Sequence, residues 1–174
     1  ILTESYTITE GTPLVITPSV INVACFGDST GSISAVVSGG VAAYTYAWSN
    51  NVATASNANI AAGSYNLVVT DSAACTASTS VVVTQPTALS LALTTTNDTI
   101  SAVVSGGTGV VSTAWSNGDS SLVIIPTNGG TFTLVATDAN GCTVTDSVTI
   151  TLSNVASTFA ANEVNVYPNP ASVS

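Results

Sequence analysis

The sequence predicts an all-β protein built from tandem sandwich modules, and three observations carry that expectation. Val, Thr, Ser and Gly dominate, while Glu is confined to Glu4, Glu10 and Glu163, a balance that favours strands and turns over helices. Short runs of Val, Ile, Thr and Tyr are punctuated by Gly, Asn, Asp and Ser clusters at roughly ten-residue spacing, the pattern of short antiparallel strands. The third observation is an internal repeat. Val36-Val37-Ser38-Gly39-Gly40 recurs as Val103-Val104-Ser105-Gly106-Gly107, an offset of 67 residues. At the same offset Ala47-Trp48-Ser49-Asn50 recurs as Ala114-Trp115-Ser116-Asn117. Gly63, Tyr65, Asp71 and Cys75 likewise fall on Gly130, Phe132, Asp138 and Cys142. A fixed period of this kind means repeated supersecondary units.

Within the first copy the elements can be justified in order. Ser32 to Val37 alternates as a strand, and Ser38-Gly39-Gly40 is a turn. Tyr44 to Trp48 is a strand carrying the tryptophan, and Ile60 lies near a short strand. Gly63 precedes Ser64 to Thr70, with Tyr65, Leu67 and Val69 on one face. Asp71 to Cys75 closes a hairpin into Thr76 to Thr84. A tryptophan on a middle strand and a tyrosine just after a glycine corner point to immunoglobulin-like sandwiches. Trp48 and Trp115 read as core residues, with exposed sugar-stacking platforms as the alternative.

The copies diverge at their starts. Leu14 precedes Gly39 by 25 residues, but Leu89 precedes Gly106 by 17, so the second copy lacks eight residues, among them the counterpart of Cys25-Phe26-Gly27. The expected organisation is a first module over residues 12–86 and a shortened second module over 87–153. Residues 1–11 read as the end of a preceding module, because Tyr6-Thr7-Ile8-Thr9-Glu10 resembles Val81-Val82-Val83-Thr84-Gln85. Residues 154–174 start a different segment. No signal peptide is visible, but the chain opens on Ile1 without a methionine and reads as an internal piece of a longer precursor, so the missing signal says nothing about export.

Charge restricts function more than fold. Lys, Arg and His are absent, and nine Asp and Glu give a net charge of −9, whereas a typical chain is roughly one quarter charged. A chain without cations has no footprint for nucleic acid, and no direct membrane insertion is expected, since no apolar run approaches the ~18–20 residues of a spanning helix. Ser–His, Cys–His, Ser–Lys and Schiff-base catalysis all lack their base or amine. Histidine-ligated metal sites and Lys–Asn isopeptide crosslinks are excluded as well. The 45% hydrophobic content argues against disorder. The surface must therefore be neutral, and 24 Ser, 28 Thr and 14 Asn supply it.

Carboxylates are the remaining reactive groups. Asp71 and Asp138 occupy equivalent hairpin turns, and a role repeated in each copy suggests a turn function, the side chain accepting backbone N–H groups. An enzyme is not expected, because a catalytic acid pair would not be duplicated in every module. No cofactor is expected. Structural calcium stays open, although the carboxylates are scattered.

Three cysteines occur. Cys25 and Cys75 flank the first module, and Cys25 has no counterpart in the shortened copy, so a Cys25–Cys75 bridge within the first module is expected, leaving Cys142 an orphaned thiol. Closing such a loop would stabilise a small sandwich by roughly 4 kcal/mol in the chain-entropy model.

The set Val23-Ala24-Cys25-Phe26-Gly27, Val37-Ser38-Gly39-Gly40, Tyr44 to Asn50, Gly63-Ser64-Tyr65 and Thr70-Asp71 to Cys75-Thr76 resembles the SprB-type repeat, a module of long surface adhesins of Bacteroidota. The tail, Val166-Tyr167-Pro168-Asn169-Pro170-Ala171, resembles the start of a type A C-terminal sorting domain, placing the signal at Tyr167, Pro168, Asn169 and Pro170. That resemblance implies the type IX secretion machinery as a partner and an extracellular or cell-surface location. Four of the six aspartates begin triplets resembling the O-glycosylation acceptor of these bacteria, which makes Ser29, Ser72, Thr99 and Ser147 the candidate hydroxyls.

The function these resemblances imply is a structural and adhesive one: modules spacing one another in a surface stalk or filament. Neighbouring modules or subunits of the same protein are then the main partners, with surface glycans as a further candidate. The alternative is a carbohydrate-binding or spacer module C-terminal to a secreted enzyme.

Overall fold

The computed structural model describes residues 11–152. The first six strands are β1 (Val15–Ile21), β2 (Gly31–Ser38), β3 (Thr45–Trp48), β4 (Ser56–Ile60), β5 (Gly63–Thr70) and β6 (Thr76–Val83). The next six are β7 (Ser90–Thr96), β8 (Thr99–Ser105), β9 (Ser112–Trp115), β10 (Val123–Ile124), β11 (Gly130–Thr137) and β12 (Thr143–Ile150). No helix occurs among the described residues, and none is long and apolar enough to cross a membrane.

The strands form four three-stranded antiparallel sheets, ordered β1-β2-β4, β3-β5-β6, β7-β8-β10 and β9-β11-β12. The chain crosses between the two sheets of a copy three times, at β2 to β3, β3 to β4 and β4 to β5, and the second copy repeats all three crossings. Each copy is thus an immunoglobulin-like sandwich, as the sequence predicts. Among the described residues no sheet takes strands from both copies.

Alternation along the strands builds the cores. Ile33 and Ala35 of β2 face Leu67 and Val69 of β5, joined by Val81 and Val83 of β6 and by Trp48, all buried. The intervening residues, such as Val36, Val68 and Val82, point outward. In the second copy Ile100, Ala102, Trp115, Ile124, Leu134 and Ile150 form the equivalent core. Trp48 and Trp115 are only 3% and 4% exposed, which rules out a sugar platform at either position. Each ring N–H donates to a carbonyl in the following turn, Thr54 O at 2.9 Å and Ser121 O at 2.8 Å. Tyr65, at the start of β5, donates its hydroxyl to Ala61 O at 2.9 Å and so pins the glycine corner.

The two β1-type hairpins differ most. Between β1 and β2 run nine residues, 22–30, containing Cys25. Between β7 and β8 lie only Asn97 and Asp98, with φ of 49° and 61°. Two successive positive-φ residues make the tight turn whose twist matches an antiparallel pair, and Asn and Asp tolerate that geometry well. This loop therefore accounts for seven of the eight residues missing from the second copy, and the eighth is the extra residue by which β2 exceeds β8.

Candidate functional site at the module joint

Cys25, Cys142 and Asp138 lie where the first module meets the second, and a double glycine prepares the entering end of each module. Gly39 and Gly106 have φ of 73° and 74°, and a β-carbon at either would lie 1.9 Å from the carbonyl oxygen of Pro13 or Ala88. Only glycine lets the segment entering each module run this close to the turn. Gly40 N–H then donates to Thr12 O at 2.9 Å, and Gly107 N–H to Thr87 O at 3.1 Å. The Val-Ser-Gly-Gly repeat is thus a docking device for the incoming linker.

The buried aspartate beside it holds the neighbouring turns. One oxygen of Asp71 accepts the Val41 N–H at 2.9 Å, and the other accepts Ala73 and Cys75 N–H at 2.9 and 2.8 Å. Asp138 repeats the pattern with Thr108 at 2.8 Å and with Asn140 and Cys142, both at 2.9 Å. The Val41 N–H leads the groups that lower the Asp71 pKa, outweighing the opposing effect of burial. Burial is the largest influence on Asp138 and raises its pKa, but the N–H groups of Cys142, Thr108, Asn140 and Gly141 together overcome it and leave the value lowered. Both carboxylates spend their oxygens on backbone donors, the turn role expected from their duplication. Among the described residues no three Cys, Asp or Glu side chains come together as cation ligands would.

The loop 22–30 is built onto the end of its own module. Val23 is buried in the first core and donates its N–H to Thr84 O at 3.0 Å. Thr84 N–H returns a bond to Asn22 Oδ1 at 2.9 Å, and Gly27 N–H reaches Gln85 Oε1 at 2.8 Å. These bonds carry the loop out along the linker toward the second module. There Asn140 Nδ2 donates to Ala24 O at 2.9 Å, and Cys25 is bonded to Cys142 with Cα atoms 5.6 Å apart. Phe26, 56% exposed, lines a hollow with Ala88, Leu89, Cys142 and Thr143.

This corrects the expected pairing. Cys25 does not bridge Cys75 within the first module; it crosses 117 residues to Cys142, and Cys75 is a free, exposed thiol. The reason is direction: the Cys25 loop grows from the end of the sandwich where the chain leaves, bonded to Thr84 and Gln85. The β5–β6 turn holding Cys75 is at the entering end, beside Thr12 and Leu14. A sequence signal for this existed. The hairpin cysteine occurs in both copies, but the loop cysteine only in the copy that another module follows.

The other candidate residues are not brought together. Ser29 is exposed in the joint loop, and Ser147 is exposed on β12. Ser72 is exposed in the β5–β6 turn, its hydroxyl donating to Val41 O and Ala42 O, both at 3.1 Å. Thr99 is half-buried at the start of β8. Tyr167, Pro168, Asn169 and Pro170 lie outside the described residues, as does nearly all of the segment 1–11. Sequence reasoning missed Asn57, fully buried on β4, whose amide exchanges two 3.0 Å bonds with Asn50. No apolar periodicity announces a buried asparagine.

Residues 17–53 match the family model of the SprB repeat, a segment running from β1 through the cysteine loop, β2 and the double glycine to just past Trp48. No curated protein matches the chain.

Proposed function

We propose that this chain is a structural and adhesive segment of an extracellular bacterial surface protein, its modules held in fixed succession as a stalk or filament. The observation that carries the reading is the joint. One module devotes a nine-residue loop, a disulfide and a side-chain hydrogen bond to fixing the next, an arrangement suited to holding modules in succession. The SprB repeat match supports a place among surface adhesins of Bacteroidota. Export by type IX secretion is proposed from the resemblance of residues 166–171 to a sorting-domain start, and glycans on Ser29, Ser72, Thr99 and Ser147 from the acceptor-like triplets. Hydroxyl-rich faces keep such an array soluble without cations, and the absence of Lys and Arg leaves no site for trypsin-like proteases.

The test is immunogold labelling of intact, unpermeabilised cells of the producing bacterium, with an antibody raised against residues 12–152. Label on the cell surface is the expected result. Label confined to the cell interior would refute the reading.

A further inference from the structure

We propose that Cys75 is the acceptor for a disulfide from a preceding module, donated by a loop of the same kind as Cys25-Phe26-Gly27, so that modules of this type are chained covalently from end to end. The inference rests on reading the chain as part of a tandem array, and it adds the chemistry of the link. Cys75 and Cys142 occupy one position in two copies of one turn, each with its N–H on the aspartate at 2.8 and 2.9 Å. Cys142 is bridged; Cys75 is exposed and free.

The seat around Cys75 is also present. A hollow of about 350 Å³ is lined by Gly11, Thr12, Pro13, Leu14, Ala73 and Cys75. Its counterpart on the second module is a hollow whose wall joins Ala88, Leu89 and Cys142 to Cys25 and Phe26 of the incoming loop. The approach is repeated as well. By sequence, Thr9-Glu10-Gly11-Thr12-Pro13-Leu14 parallels Thr84-Gln85-Pro86-Thr87-Ala88-Leu89, so the two modules are preceded by matching sequences. In that comparison Glu10 corresponds by sequence to Gln85, the residue whose side chain accepts the Gly27 N–H at 2.8 Å. One contact is not repeated, since Ala73 replaces Asn140 and cannot donate to the incoming loop. The second module has the acceptor cysteine but, with its Asn97-Asp98 turn, no donor loop. It accepts a link and passes none on.

The bond forms by thiol–disulfide exchange. The thiolate of one cysteine attacks a small-molecule disulfide such as oxidised glutathione, expelling one glutathione thiolate. The second cysteine then attacks the mixed disulfide and expels the other. The two protein thiols lose two electrons and two protons, and one oxidised glutathione becomes two reduced.

The experiment places an added copy of residues 12–85 directly before Gly11 of the chain, in a glutathione redox buffer. Disulfides are then mapped by mass spectrometry after digestion at aromatic residues. The expected map joins the loop cysteine of the added copy to Cys75 and retains Cys25–Cys142. The single free thiol moves from Cys75 to the added copy's own hairpin cysteine. A Cys75 that stays titratable, or a bridge closed within the added copy, would overturn the proposal while leaving surface labelling to decide the array reading. Should the lengthened chain not fold, the 174-residue chain is mixed with the peptide 22–30 bearing glutathione on its cysteine. Coupling to Cys75 roughly tenfold faster than from oxidised glutathione alone is expected, the gain of about 1.4 kcal/mol of seating energy. Equal rates would sink the idea.

Discussion

The two modules share a frame and differ at the joint. Both keep the tryptophan with its turn bond, the double glycine under the linker and the three-donor aspartate. The first keeps a buried Asn57 paired with Asn50 where the second has Ile124, and a hydroxyl on Tyr65 where the second has Phe132. It accepts a strained Ala74 at φ 64° where the second has Gly141 at φ 82°. It carries the long cysteine loop where the second has a two-residue turn. The frame sets the sandwich, and the departures set which module reaches out and which receives.

The glycine frame gives the largest expected effect. Gly39→Ala or Gly106→Ala would drive a β-carbon into a linker carbonyl and impose a positive φ on alanine. Each should cost its module about 4 kcal/mol or more, among the largest single-site effects, read as loss of a melting transition. If only one module responded, the two turns would not be equivalent.

Removing the bridge should separate the modules' fates. In the chain-entropy model a loop this long contributes on the order of 5 kcal/mol, but both modules keep their own cores, so much of that restrains the joint rather than either sandwich. Cys25→Ser should therefore leave two melting transitions and widen the distribution of inter-module distances in double-label fluorescence, while Cys75→Ser changes neither. An unchanged distribution would mean that the hydrogen bonds alone hold the joint.

Acid should loosen both modules together. Asp71 and Asp138 have folded-state pKa values below the ordinary carboxylate value, so the unfolded chain binds more protons as pH falls. The stability they contribute is complete above the ordinary value and is lost as pH drops through the lowered folded values. Melting temperature should hold from pH 7 to about 5 and fall steeply below about 4. Asp71→Asn should flatten the fall for the first module alone.

Smaller effects probe the substitutions between copies. Asn57→Ala leaves a hole and strands its partner, costing about 2 kcal/mol, whereas Asn57→Ile copies the second module and should cost less. Gly141→Ala should cost roughly 1 kcal/mol, because its φ is one that alanine adopts only under strain. Denaturant titration followed by tryptophan fluorescence reads both.

Much of the fold was legible because its signals are local. Alternation, turn glycines and one offset placed the strands, and duplication gave the aspartates their turn role. Asn57 was hidden because its partner is Asn50, seven residues away across a turn, and polarity there reads as surface. The disulfide was misplaced because spacing says how far apart two cysteines are in the chain, not which end of a sandwich each faces. That orientation is set by Asn22, Thr84 and Gln85, whose bonds exist only once the sandwich is closed.

A covalent link joins the two modules, and disulfide mapping of the 174-residue chain under non-reducing conditions tests it most directly. The absence of Lys and Arg requires a protease other than trypsin. The predicted result is a crosslinked peptide pair containing Cys25 and Cys142, with one titratable thiol at Cys75. A crosslink between Cys25 and Cys75, with Cys142 free, would contradict it.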